Sequence, residues 1–293
     1  MMMSSCANCG KGEGCDLKKC SACKMVQYCS VDCQKANRPQ HKRECKKRAA
    51  ELLDEALFKQ PPQDGECPIC FLTLPSLYSG RKYQTCCGNI ICSGCIHSVN
   101  KMDDDAKCPF CRVPTPKSDE ELMEREEKRV EMDDAEAIYN IGCCYSNGDE
   151  GLPQDHARAL ELWHRAGELG SAAANSNIGC AYFVGRGMER DEKKAKHYWE
   201  LAAVGGHVKA RYNLGVAEMN EGNMGKALKH YMIAAGGGDN ESLEVIRSLY
   251  TSGHATKDDY AKALRTHQKY IDGIKSVQRD EAAAYDSARY RYY

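Results

Sequence analysis

The chain has no run of about 18 or more apolar residues, and its opening MMMSSCANCG carries neither a basic leader nor the apolar centre of a secretory signal. We therefore expect an intracellular protein, cytoplasmic, nuclear or both, with no membrane partner. Charge of one sign is also missing: 41 Lys and Arg against 42 Asp and Glu leave a formal net charge of −1, which gives no general pull toward nucleic acid. Residues 1–50 do carry eleven Lys and Arg against four Asp and Glu, but Tyr28 is the sole aromatic among them. A basic surface without interleaved aromatics is a poor single-strand platform, so no nucleic-acid partner is expected. No Ser/His/Asp arrangement and no nucleophilic cysteine beside a base is legible either, which leaves no candidate catalytic residue.

What the chain does have is cysteine, 19 in 293 residues, with sixteen of them before Arg112. Without a secretory signal, Cys-x2-Cys pairs read as thiolate metal ligands in a reducing compartment rather than as a disulfide framework. The first group runs Cys6-x2-Cys9, Cys20-x2-Cys23, Cys29-x3-Cys33 and His41-x3-Cys45, with Cys15 left over as a free thiol. Eight soft or borderline donors suffice for two tetrahedral zinc sites, and metal must supply folding energy that so short a stretch cannot get from a core. The second group runs Cys67-x2-Cys70, Cys86-Cys87, Cys92-x2-Cys95 and Cys108-x2-Cys111. Four Zn2+ ions are expected in all, each closed by protein ligands and therefore structural.

Composition and breakers divide the chain further. We expect a cysteine-rich module over 1–48, a helical linker over 49–64 stopped by Pro61-Pro62, a second module over 65–115, and an acidic helix over 116–134 opened by a Ser118/Glu121 capping box. From 135 to 275 the chain repeats with a period of 32–37 residues. Asn140-Ile141-Gly142 aligns with Asn177-Ile178-Gly179 and Asn213-Leu214-Gly215, while Ala159, Ala195, Ala227 and Ala263 mark a second helix in each of about four units. Such units cannot bury their apolar faces singly, and they stack into an all-α solenoid of helix-turn-helix repeats. For the tail, 276–293, the sequence leaves open a last helix or a frayed end.

Three resemblances add to this reading. YCSVDCQ followed by H-x3-C resembles the MYND zinc finger, with Arg38 where that family commonly has Trp. The resemblance implies interleaved ligands: Cys6, Cys9, Cys29 and Cys33 for one ion, and Cys20, Cys23, His41 and Cys45 for the other. C-P-I-C, I-C-x-x-C-I and C-P-F-C-R resemble the RING domain, implying a cross-brace with Cys67, Cys70, Cys92 and Cys95 on one zinc and Cys108 and Cys111 on the other. The family's C-G-H reads Cys87-Gly88-Asn89 here, so we expect Cys86 and Cys87 to complete the second site, with His97 as the fallback. The repeats resemble the Sel-one-like, tetratricopeptide-like family of adaptor solenoids. Together these imply a RING-type ubiquitin ligase that works without a covalent intermediate. Ile69, Pro109 and Arg112 would meet a ubiquitin-conjugating enzyme and its ubiquitin, and the array would hold a protein substrate or peptide motif. The competing expectation is a non-enzymatic zinc-dependent scaffold.

Overall fold

A computed structural model describes residues 5–12, 14–59, 65–76, 78–102 and 107–293, so Pro61-Pro62 lies outside the described residues. The chain divides into two compact units, residues 1–59 and 60–293.

In the first unit, strands β1 (Lys18–Lys19) and β2 (Gln27–Tyr28) pair antiparallel ahead of a single long helix, α1 (Val31–Phe58). The core is made of ligand-type residues, Cys6, Cys20 and Cys23, with Tyr28, whose hydroxyl donates to Asn37 on α1 at 3.0 Å. Tyr28 itself is buried. Ser30 caps α1 by accepting from the Cys33 N–H at 3.2 Å. Of the linker expected over 49–64, residues 49–58 are the continuation of α1, which runs through residue 48 without a break, and residues 60–64 lie outside the described residues.

The second unit opens with strands β3 (Arg81–Tyr83) and β4 (Ile90–Cys92), an antiparallel pair, followed by α2 (Ser93–Met102). Next comes α3 (Asp119–Val130), whose N-cap Ser118 accepts from the Glu121 N–H. The reciprocal half of the expected box is displaced: the Glu121 carboxylate accepts from the Lys117 N–H, one residue earlier. Its Met123 joins the apolar core of the first repeats, so this acidic helix seals the start of the array.

Eight helices follow as four antiparallel pairs: α4 (Ala135–Asn147) with α5 (His156–Glu168), α6 (Ala172–Val184) with α7 (Glu192–Val204), α8 (Val208–Asn220) with α9 (Met224–Gly236), and α10 (Asn240–Thr251) with α11 (Lys257–Ile274). Between units, Asn177 Nδ2 donates to Cys143 Sγ and Asn213 Nδ2 to Cys180 Sγ, each at 3.6 Å. Trp163 and Trp199 are core residues. The tail forms α12 (Val277–Tyr285) and α13 (Ser287–Tyr290), and α12 packs along α2.

Among the described residues no helix is long and apolar enough to cross a membrane.

Candidate metal centres and the surfaces they hold

Four short loops share one backbone design. In Cys6/Cys9, Cys20/Cys23, Cys67/Cys70 and Cys108/Cys111, the residue after the second cysteine donates its N–H back to the first cysteine's carbonyl. These bonds, from Gly10, Lys24, Phe71 and Arg112, are 2.9, 3.0, 2.9 and 3.0 Å long. All four donors have positive φ, 74°, 57°, 57° and 65° respectively. The first cysteine's own N–H reaches ahead to Lys11, Val26, Leu72 or Val113, which closes the loop and turns both thiols to the same side.

These loops bring the thiols into four sets whose ligand atoms all lie within 4.8 Å of one another: Cys6/Cys9/Cys29/Cys33, Cys20/Cys23/His41/Cys45, Cys67/Cys70/Cys92/Cys95 and Cys86/Cys87/Cys108/Cys111. In the first unit α1 serves both sets, with Cys33 in its first turn and His41 and Cys45 one turn apart on one face. The closest sulfur pairs are 3.6 Å (Cys9–Cys29 and Cys29–Cys33), 3.7 Å (Cys20–Cys45), 3.7 Å (Cys70–Cys92), 3.9 Å (Cys67–Cys95 and Cys87–Cys108) and 3.3 Å (Cys86–Cys111), and Cys23 Sγ lies 3.2 Å from His41 Nε2. Four thiolates at ~2.3 Å from a tetrahedral zinc stand about 3.8 Å apart, whereas a disulfide is ~2.05 Å long. All 19 cysteines are free.

The donor chemistry fits a cation. The Cys29 and Cys9 N–H groups draw the Cys6 thiol down to about 6, while the adjoining Cys9 and Cys33 thiols push Cys29 up to about 12. In the second unit, hydrogen bonds from the Cys92 and Cys95 thiols hold Cys67 well below the ordinary thiol range, helped by the Cys92 N–H at 3.5 Å. Burial, then Cys111 and Cys108, pushes Cys86 up. Such sets cannot all ionise together unless a metal gathers the charge. They contrast with the array's thiols: burial raises Cys143 and Cys180 and lifts Cys144 to about 12, which disarms them as nucleophiles.

Cys15 belongs to none of the four sets. The backbone carbonyl of Asn89 accepts from the Gln84 N–H at 2.9 Å. The fallback ligand His97 is also excluded. It is buried between Tyr285 and Tyr290, with ring centroids 5.0 and 5.7 Å away.

The three expected contact residues fare differently. Arg112 is exposed; Ile69 is half-buried and packs partly on the module's own core; Pro109 is buried. Beside them stand two aromatics that the motif reading passed over, Phe71 at 72% and Phe110 at 50% exposure. Phe71 follows the pair Cys67/Cys70 and Phe110 lies within the pair Cys108/Cys111, so both were present in the motifs themselves.

The second cysteine module is also bolted to the array. Tyr83 donates to Asp134 at 2.8 Å, and Asp134 is ion-paired to Arg129 at 2.6 Å. At the far end the Ser76 N–H donates to Tyr270 Oη at 2.7 Å, and Ser76 Oγ donates to the Gly237 carbonyl at 2.9 Å.

Comparison with known proteins agrees with parts of this layout. Over 105 residues the chain is 32% identical to the ERAD-associated E3 ubiquitin-protein ligase component HRD3B of Arabidopsis thaliana, covering 36% of this chain and 16% of that protein. It is 28% identical over 133 residues to the E3 ubiquitin-protein ligase RNF182 of Ailuropoda melanoleuca, covering 44% and 51%. It is 36% identical over 70 residues to the E3 ubiquitin-protein ligase DA2 of Arabidopsis thaliana, covering 23% and 16%. The chain thus spans at most about half the length of these relatives. Among solved structures, a Sel1 repeat protein from Oxalobacter formigenes is similar at 28% identity and a TM-score of 0.47, covering 53% of this chain and 64% of that one. The MYND finger family matches residues 6–45, and the Sel1 repeat family matches 135–171 and 172–207. Cysteine-rich zinc-binding modules, the first of them a MYND finger, are therefore followed by a helical solenoid that contains two Sel1 repeats.

Proposed function

We propose that this chain is a RING-type ubiquitin ligase of the cell interior, with four Zn2+ ions, two per module, held by the four residue sets above. The observation that carries the reading is the cross-brace in residues 65–115. The first and third cysteine pairs form one set and the second and fourth form the other. Relatives named as ubiquitin ligases or ligase components support it.

Zinc here supplies rigidity, and chemistry would come from proximity. The module seats a ubiquitin-conjugating enzyme and restrains its ubiquitin so that a substrate lysine attacks the thioester. Arg112 is the residue we assign to that restraint. Its backbone sits at φ 65°, a conformation that Gly10 adopts freely in the equivalent loop and that costs a non-glycine residue about 1–2 kcal/mol. Lys24 and Phe71 take the same conformation in their own loops, so it belongs to the loop design; what supports the assignment is that the Arg112 side chain stands exposed beside Phe110. Ile69, Phe71 and Phe110 would form the apolar part of the same contact, with Pro109 shaping the turn from beneath. The repeats would hold the protein substrate or a peptide motif.

With zinc-loaded protein and a panel of conjugating enzymes, self-ubiquitination is expected. Arg112→Ala or Ile69→Ala should lower the rate at least tenfold without loss of bound zinc by native mass spectrometry. Silence from every conjugating enzyme would end this reading. The burial of Pro109 favours the second one, a non-enzymatic scaffold in which the zinc modules and repeats bind separate protein partners. Peptide binding by fully metallated protein without any ligase signal would support it.

A further inference from the structure

Arg279 lies in the first turn of α12, 0% exposed, and among the described residues it makes no ion pair with a carboxylate. Its Nη1 donates to the Thr73 carbonyl at 2.9 Å and to the Ile274 carbonyl at 2.6 Å, and its Nε has no partner. Its Nη2 lies 4.0 Å from Cys70 Sγ. It also faces Cys92: that thiol is raised overall, first by contact with Cys67, and Arg279 works in the opposite direction. The approach is close because Gly94, between Cys92 and Cys95, has no side chain; a Cβ there would stand 2.8 Å from the Arg279 nitrogen and 3.0 Å from its Cγ.

A buried, permanently charged guanidinium without an anion would be expensive, because desolvation costs several kcal/mol per ion. The nearest source of negative charge is the thiol set itself. Zn2+ with four thiolates carries a net charge of −2, and three of the four, Cys67, Cys92 and Cys95, are buried while Cys70 is half-buried. We propose that Arg279 is the counter-cation of the zinc site formed by Cys67, Cys70, Cys92 and Cys95, so that metal in this site latches residues 276–293 onto the module. The latch covers the Gly94/His97 face of α2 and leaves Phe71, Phe110 and Arg112 exposed, so the tail braces the module without blocking its outer surface. This inference rests on the zinc occupancy proposed above.

Arg279 is a positioning residue, and its test reads metal rather than activity. Zinc bound to the full chain would be counted by native mass spectrometry and its release to a chromogenic chelator followed. Arg279→Met is expected to speed release of one ion in four by about 10–100-fold, the usual weight of an outer-sphere partner, while Arg279→Lys, which keeps the charge, stays within a few-fold of wild type. Equal acceleration in both variants would show that shape alone matters and would overturn the proposal, as would an unchanged rate in Arg279→Met. Should Arg279→Met not fold, the wild-type chain decides: partial chelation that removes this ion should open 276–293 to protease, and a tail still protected without the metal refutes the latch. Four ions with unaltered release would defeat only this inference. A wild-type count that omits the site would defeat the metal assignment and the latch together.

Discussion

Gly142, Gly179 and Gly215 each sit seven residues into the first helix of a unit, and Trp163, Trp199 and Tyr231 sit at the same depth in the second. A Cβ on these glycines would stand 2.7, 2.5 and 2.7 Å from the facing ring. The repeating glycine is thus the cavity into which an aromatic side chain packs, and the glycine was legible in the sequence as an aligned letter. Unit four shows why its first helix was hard to read: the aligned residues are Arg247 and Leu264, so with no ring to admit, the glycine signature vanishes while the helix remains. Gly179→Ala should therefore destabilise the array despite the better helix propensity of alanine. A net loss of about 1–2 kcal/mol is expected from overpacking in denaturant melts followed by tryptophan emission.

A second residue-scale effect concerns Glu126 on α3. At 6% exposure, burial lifts its carboxyl to about 7 from an ordinary 4.5, with Asn140 opposing. In the folded chain it therefore stays protonated up to about pH 7, whereas the unfolded chain ionises near 4.5. Its contribution is full below pH 4.5 and falls as pH climbs toward 7, by at most on the order of 3 kcal/mol. Glu126→Gln should match wild type in melting temperature at pH 4.5 and exceed it at pH 8; equal melting at both would refute the assignment.

Among the elements, α1 shows how local spacing can be read while its extent cannot. His41-x3-Cys45 predicts two ligands one turn apart, and they are. That the helix runs on past Lys47 to Phe58 was hidden, because Pro39 and a sparse apolar pattern disguise a 28-residue helix as two pieces. Its stability comes from the sites that hold Cys33, His41 and Cys45, since isolated helices depend on packing or on anchors. Stripping zinc is accordingly expected to lower the far-UV helical signal. Trp163 and Trp199, both buried in the repeats, should keep their emission maximum. Loss of both signals together would show that the array itself requires the metal.

At the scale of the molecule, the motifs in residues 65–115 and the repeats were each legible alone, and their union was not. The Tyr83–Asp134 contact and the Ser76–Tyr270 contact join residues 51 and 194 positions apart, and nothing periodic marks such pairs. The tail was equally opaque: AAAYDSARYRYY shows its aromatics but not that Tyr290 and Tyr292 are buried. Tyr270→Phe tests the far joint. It removes the acceptor of the Ser76 N–H and should cost about 1–2 kcal/mol, with faster amide exchange in 65–76 and none in α4–α7.

Because the tail walls one side of a module that begins more than 200 residues earlier, order of synthesis matters. Residue 115 is synthesised about 160 residues before residue 276. At ~5–20 residues per second the nascent segment waits on the order of ten to thirty seconds with the future seat of α12 bare. A chain stalled in that interval would present unpaired apolar surface to chaperones, so truncation after residue 275 should yield a species marked for quality control rather than a smaller working protein.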